Sequence, residues 1–175
     1  MQSNSKRIIH RIGETDQLFL QKNTPDLALE RAELRLELVT MSSLRQEQIH
    51  FLQEAIVILE CGRIDFEEIQ MRLYINLSLL LAKAYMMYFE ITQDEKFAII
   101  CQQVLKPLAS SNHADIFFFM AYASVSRKEF ALTRHWLGKY FKTQDYDLDL
   151  VRQHSAFAKL HQLDWFIELT KSKMS

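Results

Sequence analysis

The side chains that could do chemistry are dispersed along this chain. Histidines stand at 10, 50, 113, 135, 154 and 161, without an HExxH pair. His50 and Glu54 are one helical turn apart, but the spacing supplies no third ligand for a metal. His154 and His161 would sit two turns apart on a straight helix, too far to share an ion. Asp145-Tyr146-Asp147-Leu148-Asp149 opens with the alternating acids of a calcium loop. Leu150 then stands where that loop needs glycine for its sharp turn, and Ala156 where it needs a bidentate glutamate. Gly13, Gly62 and Gly138 are the only glycines, so no glycine-rich phosphate loop can form. Cys61 and Cys101 make no CxxC pair; both read as small buried apolar residues, which suits a reducing compartment. No GxSxG or Cys–His signature is present. Glu67 and Glu68 read as the solvated first turn of a helix rather than an acid–base pair. The expectation is therefore a protein that is not an enzyme, with no metal and no cofactor.

Charge narrows the partners. The net charge is -1 with 25% charged residues, which gives no electrostatic reason to expect nucleic acid or an anionic membrane. Lys6, Arg7 and Arg11 make a small basic start. Arg127, Lys128, Arg134, His135, Lys139 and Lys142 cluster around one helix; a DNA recognition helix would need such a cluster, but solvated surface explains it better. No apolar signal run follows the amino terminus, so a cytoplasmic setting is expected. The apolar stretch 73–89 is interrupted by Asn76, Ser78 and Lys83 and is short for a bilayer, so it reads as a core helix without membrane insertion.

The elements that must position any site are helices. Only 3 Gly and 2 Pro occur in 175 residues, 49% of them hydrophobic, which argues for an all-α fold. Residues 5–22 are weakly helical, with Ile8, Ile9 and Ile12 on one side and Gly13 as a weak point. Asn23-Thr24-Pro25-Asp26 starts a helix, with Thr24 as cap and Pro25 in the first turn. Leu27, Leu34, Leu38 and Met41 keep helical spacing up to Ser42-Ser43. Residues 44–60 carry Ile49, Leu52, Ile56 and Leu59 on one face, and Gly62 should stop that helix in a left-handed conformation. Asp65 should cap the next helix from Phe66. Residues 66–89 are either one long helix or two with a turn at 76–78. Helices then follow at about 95–108, 114–126, 129–142, 148–161 and 164–173, about nine in all and no strand.

Four of these helix starts share a mark. Phe66, Phe97, Phe130 and Trp165 each follow a short polar turn, at separations of 31, 33 and 35 residues. A period near 34 with two helices per period marks stacked helix hairpins. In 114–146, the pair Met120-Ala121 lies on the first helix and Phe130 opens the second, which carries Thr133, Leu137 and Tyr140. Ala156 with Trp165 repeats the offset of Ala121 with Phe130; Ala84 with Phe97 does so with a longer turn. The pattern resembles the tetratricopeptide-repeat family over residues 64–175. It departs where Ile100, Thr133 and Glu168 replace the family's small residue in the second helix, and it lacks the closing proline.

The resemblance implies antiparallel hairpins stacked as a short right-handed solenoid. Residues 1–62 pack on or cap the array and 63–175 form the repeats, as a single structural domain. It further implies a concave surface from the first helices, lined by Leu81, Tyr85, Tyr88, Phe118, Tyr122, Val125 and Phe157, with Asp115, Arg134 and Arg152 fixing register; the other reading is that the same aromatics fill the core. The function implied is a non-catalytic adaptor, scaffold or chaperone that holds a segment or helix of another protein. The size and the amino-terminal helices are also similar to small bacterial secretion chaperones of this type, which implies a homodimer through Leu27, Leu34, Leu38 and Met41, unless that face packs inward. The alternative is an all-α regulatory domain that takes a small apolar ligand between helices, lined by Met86, Met87, Phe119 and Met120.

Overall fold

The side chains of Thr24, His113, Asp147 and His154 cap the helical segments that follow them. The computed structural model describes residues 2–66 and 68–174, with side chains from residue 4 onward; Glu67, read above as part of a solvated first turn, lies outside them. The α-helices are α1 (Gln2–Gln21), α2 (Pro25–Met41), α3 (Arg45–Asp65), α4 (Met71–Thr92), α5 (Glu95–Leu105), α6 (Ala114–Ser126), α7 (Phe130–Tyr140), α8 (Leu148–Gln153) and α9 (Asp164–Lys171). Two 3₁₀ segments, Lys106–Ser111 and Ser155–Leu160, complete the set, and the described residues hold no strand. The fold is all-α. The chain divides into two compact units, Met1–Asp94 and Glu95–Ser175.

In the first unit α2 packs on α1, α3 and α4, and α3 on α4. Thr24 caps α2, its Oγ1 accepting from the Leu27 N–H at 3.1 Å, and Pro25 occupies the first turn, as its missing N–H allows. Ala28 and Ala32 are fully buried on α2, where small side chains permit a close approach. Gly62 is part of the same contact. It does not end α3: it lies buried inside the helix, and a methyl placed on it would meet the Ala28 Cβ at 3.5 Å and the Leu77 Cδ2 at 3.6 Å. α3 therefore runs on through Asp65, with Phe66 as its C-cap. Asp65 starts no helix, and Phe66 does not share the setting of the later turn aromatics. α4 begins at Met71 and passes unbroken through Asn76–Ser78, so the turn considered there is absent.

The second unit is organised by α6. It is apolar around nearly its whole circumference, burying Ile116, Phe117, Phe118, Met120, Ala121, Tyr122 and Val125, among others. A helix of that kind must be covered on several sides. α5, α7 and the Ser155–Leu160 segment all pack against it. Of the three consecutive phenylalanines, Phe117 stacks on Trp136 of α7 at 5.9 Å, Phe118 is buried, and Phe119 is the half-exposed one.

Two expected helices are shorter than their patterns. α5 tightens into 3₁₀ geometry at Lys106-Pro107, where proline brings no N–H to continue the α ladder. The expected 148–161 helix breaks at His154, whose backbone is extended (φ -66°, ψ 123°) and whose Nδ1 accepts from the Ala156 N–H. Three chain reversals use left-handed backbone at Gln93, Asn112 and Lys128, with φ of 56°, 56° and 61°.

Gly62→Ala tests the account of α3. The added methyl enters ordinary van der Waals contact, and alanine favours the helix, so the substitution should stabilise the protein by about 0.5–1 kcal/mol. The urea midpoint measures this. A left-handed glycine cap would give a loss instead.

Candidate functional site

The residues expected to line a groove fall in two sets, one in each unit. On α4, Leu81 is fully buried. Tyr85 is also buried, and its hydroxyl donates to Glu60 Oε1 at 2.9 Å. Burial, followed by the Glu60 contact, pushes the Tyr85 hydroxyl well above its ordinary pKa. Tyr88 is half-buried, and Gln53 Nε2 donates to its hydroxyl at 3.1 Å.

On α6, Phe118 and Tyr122 come together with His154 and Phe157 inside the second unit, while Tyr85, expected in the same column, belongs to the first. Phe118 lies 5.9 Å from Phe157 and 5.6 Å from the His154 ring, between ring centroids. Tyr122 meets the same imidazole edge-on at 4.5 Å. Val125 and Phe157 have no exposed surface, and Phe118 and Tyr122 have under a tenth of theirs. The chain from His154 to Leu160 folds back over α6 and seals these aromatics from solvent. Leu81, Tyr85, Phe118, Tyr122, Val125 and Phe157 are core residues, not the wall of an open groove.

The polar residues expected beside them are exposed, but on different helices: Asp115 on α6, Arg134 on α7, Arg152 on α8. Of the proposed dimer face, Leu38 is buried, while Leu27, Leu34 and Met41 are half-buried. The four residues offered as a ligand cavity divide between the units, Met86 and Met87 in the first, Phe119 and Met120 in the second, with Met86 and Met120 buried. Cys101 is buried and its thiol is pushed up by desolvation, as expected of a core cysteine, whereas Cys61 is exposed, against expectation.

Two features escaped the sequence. The first is an ion-pair seam that ties α1 to α2 and α3. The Arg35 side chain is almost wholly buried; it donates to Asp16 Oδ2 at 2.9 Å, to Glu54 Oε2 at 2.8 Å and to the Arg31 carbonyl at 3.1 Å. Arg31 reaches Asp16 at 2.9 Å, and Arg11 binds both oxygens of Glu30. Burial alone would raise the Asp16 carboxyl, but hydrogen bonds from Arg31 and Arg35 outweigh it and hold the pKa below the ordinary value. Arginines four apart at 31 and 35 were the available signal, and they read as solvent cover on an amphipathic helix.

The second is a groove of about 770 Å³ in the second unit, bordered by α8, His161 and α9. Arg152 and Lys171 line it with one carboxylate, Asp149. Phe166 is buried beneath, with His161 stacked on its ring at 5.4 Å, while Ile167 and Met174 are 45% and 61% exposed. Arg152 Nη1 lies 3.7 Å from Met174 Sδ.

Among the described residues, no group of three or more His, Cys, Asp or Glu could hold a metal ion. No described helix is long and apolar enough to cross a membrane. Compared with protein-family models, curated proteins and solved structures, the chain matches none.

Phe157→Ala should cost about 3–5 kcal/mol in denaturant unfolding, the cost of emptying a core position, whereas Arg134→Ala, on exposed surface, should stay within about 0.5 kcal/mol. A near-neutral Phe157→Ala would return that ring to the surface. The Asp16 seam carries a sign as well. A carboxyl whose folded pKa is depressed contributes stability above its unfolded pKa and loses it as pH falls through the folded value. Asp16→Asn should therefore lower stability at neutral pH by about 1 kcal/mol or less, since the carboxylate is partly solvated. The difference from wild type should vanish in acid; urea midpoints measured from pH 7 downward check it.

Proposed function

We propose that this protein is a non-catalytic protein-interaction module, an adaptor or chaperone built from stacked helix hairpins, which holds a segment of a partner protein. The observation that carries the reading is the pattern of contacts between alternate helices. In the first unit α2 touches α4 as well as its neighbour α3. In the second, α6 touches Ser155–Leu160, and α7 touches α9. Contacts of this alternate kind are what stacked hairpins require, and these three support the reading. Phe97, Phe130 and Trp165 each stand within the first three residues of α5, α7 and α9, although Phe97 is buried, Trp165 half-buried and Phe130 exposed. The fully buried Ala84, Ala121, Thr133 and Leu137 also support it. The tetratricopeptide-like, right-handed form of the stack, and a cytoplasmic setting, belong to the same proposal.

The aromatic column serves this function indirectly. Sealed inside the second unit, it holds the hairpins at fixed spacing, and contact with a partner falls to exposed side chains. Affinity capture from cells that express the protein, with the full chain as bait and lysine crosslinking, is the test. The expected result is a recurring partner crosslinked to one face, lost with a heat-unfolded bait. Turnover of a small molecule by the purified chain, with no partner above the unfolded control, would sink the proposal.

A further inference from the structure

We infer that the groove between α8 and α9 is the docking surface, and that its occupant is an acidic, apolar-flanked segment of a partner protein; this rests on the interaction-module reading and names its surface. Arg152 and Lys171 both line the groove, and among the described residues neither is paired with a carboxylate. Two long cations sharing one opening repel each other weakly and leave their charge available to an incoming anion. Asp149 offsets one of them, so the groove keeps a net positive charge.

The charge of the wider surface points the same way. Residues 95–175 hold 11 Lys and Arg against 8 Asp and Glu, whereas residues 1–94 hold 10 against 14. A positive unit steers an acidic segment toward itself and disfavours a basic one. Ile167 and Met174 give the groove exposed apolar surface, 45% and 61% exposed, beside the polar Gln153 and Thr170. Methionine adapts to varied apolar partners. A small ligand here would remain mostly solvated, because of the lining residues only Phe166 and Thr170 are buried and the rest are themselves exposed. Small-ligand sites bury most of the ligand's surface. A chain segment can cover these side chains at once, placing carboxylates at Arg152 and Lys171 and an apolar side chain over Ile167.

Fluorescence anisotropy with three short labelled peptides tests this on the full chain: one alternating glutamate and leucine, one lysine and leucine, one serine and leucine. The acidic peptide should bind about tenfold better than the neutral one, and added salt should erode the difference. The double variant Arg152→Glu, Lys171→Glu should lose at least about tenfold, Arg152→Lys should keep most of the affinity, and Ile167→Ser should weaken binding to all leucine-bearing peptides. Circular dichroism and the urea midpoint should be unchanged in each, since the positions are exposed. Equal binding of acidic and neutral peptides, or indifference to the double reversal, overturns the inference. So does sedimentation showing a wild-type dimer that the double reversal breaks, because the occupant would then be a second copy. If a captured partner binds the double variant as tightly as wild type, the groove is wrong and the interaction reading stands; if wild type captures nothing, the reading itself falls.

Discussion

The second unit answers to one constraint: α6 has almost no face that tolerates water. From Ala114 to Val125 nearly every side chain is apolar or small. Such a helix is stable only when other chain covers it around most of its circumference. α5 and α7 take two sides, and Ser155–Leu160 takes a third. That last contact is why the expected 148–161 helix cannot run straight. Phe157 has to reach Phe118, and the break at His154 turns the chain toward it. His154 meets the cost of the break locally by capping the next segment with Nδ1.

The first unit solves a different problem. α1 is polar over most of its surface, and it offers Ile8 and Thr15 to the interior but little else that is fully buried. Apolar burial alone gives such a helix a weak hold, so its position is set by charge. Arg35 is the centre of that arrangement, because a guanidinium taken out of water needs carboxylates on more than one side. Asp16 and Glu54 supply them from α1 and α3. The two units are thus held by different forces, one by packed aromatics and aliphatics, the other partly by a seam that solvent and pH can reach.

Much of the helix layout could be read from local chemistry. Thr24-Pro25 marks the start of α2, Ser42 its end, and 114–126 the full extent of α6, because each depends on nearby residues. The failures share a cause. Gly62 looks like a stop signal from its neighbours, yet its role is to let α2 and α4 come near, which is a long-range fact. Spacing places Tyr85, Phe118, Tyr122 and Phe157 in one stripe, but no local pattern shows that 154–160 folds over Phe118 and Tyr122. Helical periodicity reports which residues share a face; it cannot report what lies against that face. Arg152 was noticed as a polar neighbour of the column, whereas its company with Lys171 and Met174 depends on how α9 closes on α8.

The junction of Ala28, Gly62 and Leu77 sets a limit on how this sequence can drift. Three helices converge there, and a methyl group on Gly62 would already stand in van der Waals contact with Ala28 and Leu77. A valine or serine at position 62 would have to push α3 off α2 and displace Leu77, so the change would spread as a shift of whole helices rather than stay as a local bump. Relatives of this chain should therefore hold a tiny residue at this crossing, even where the rest of α3 has been rewritten.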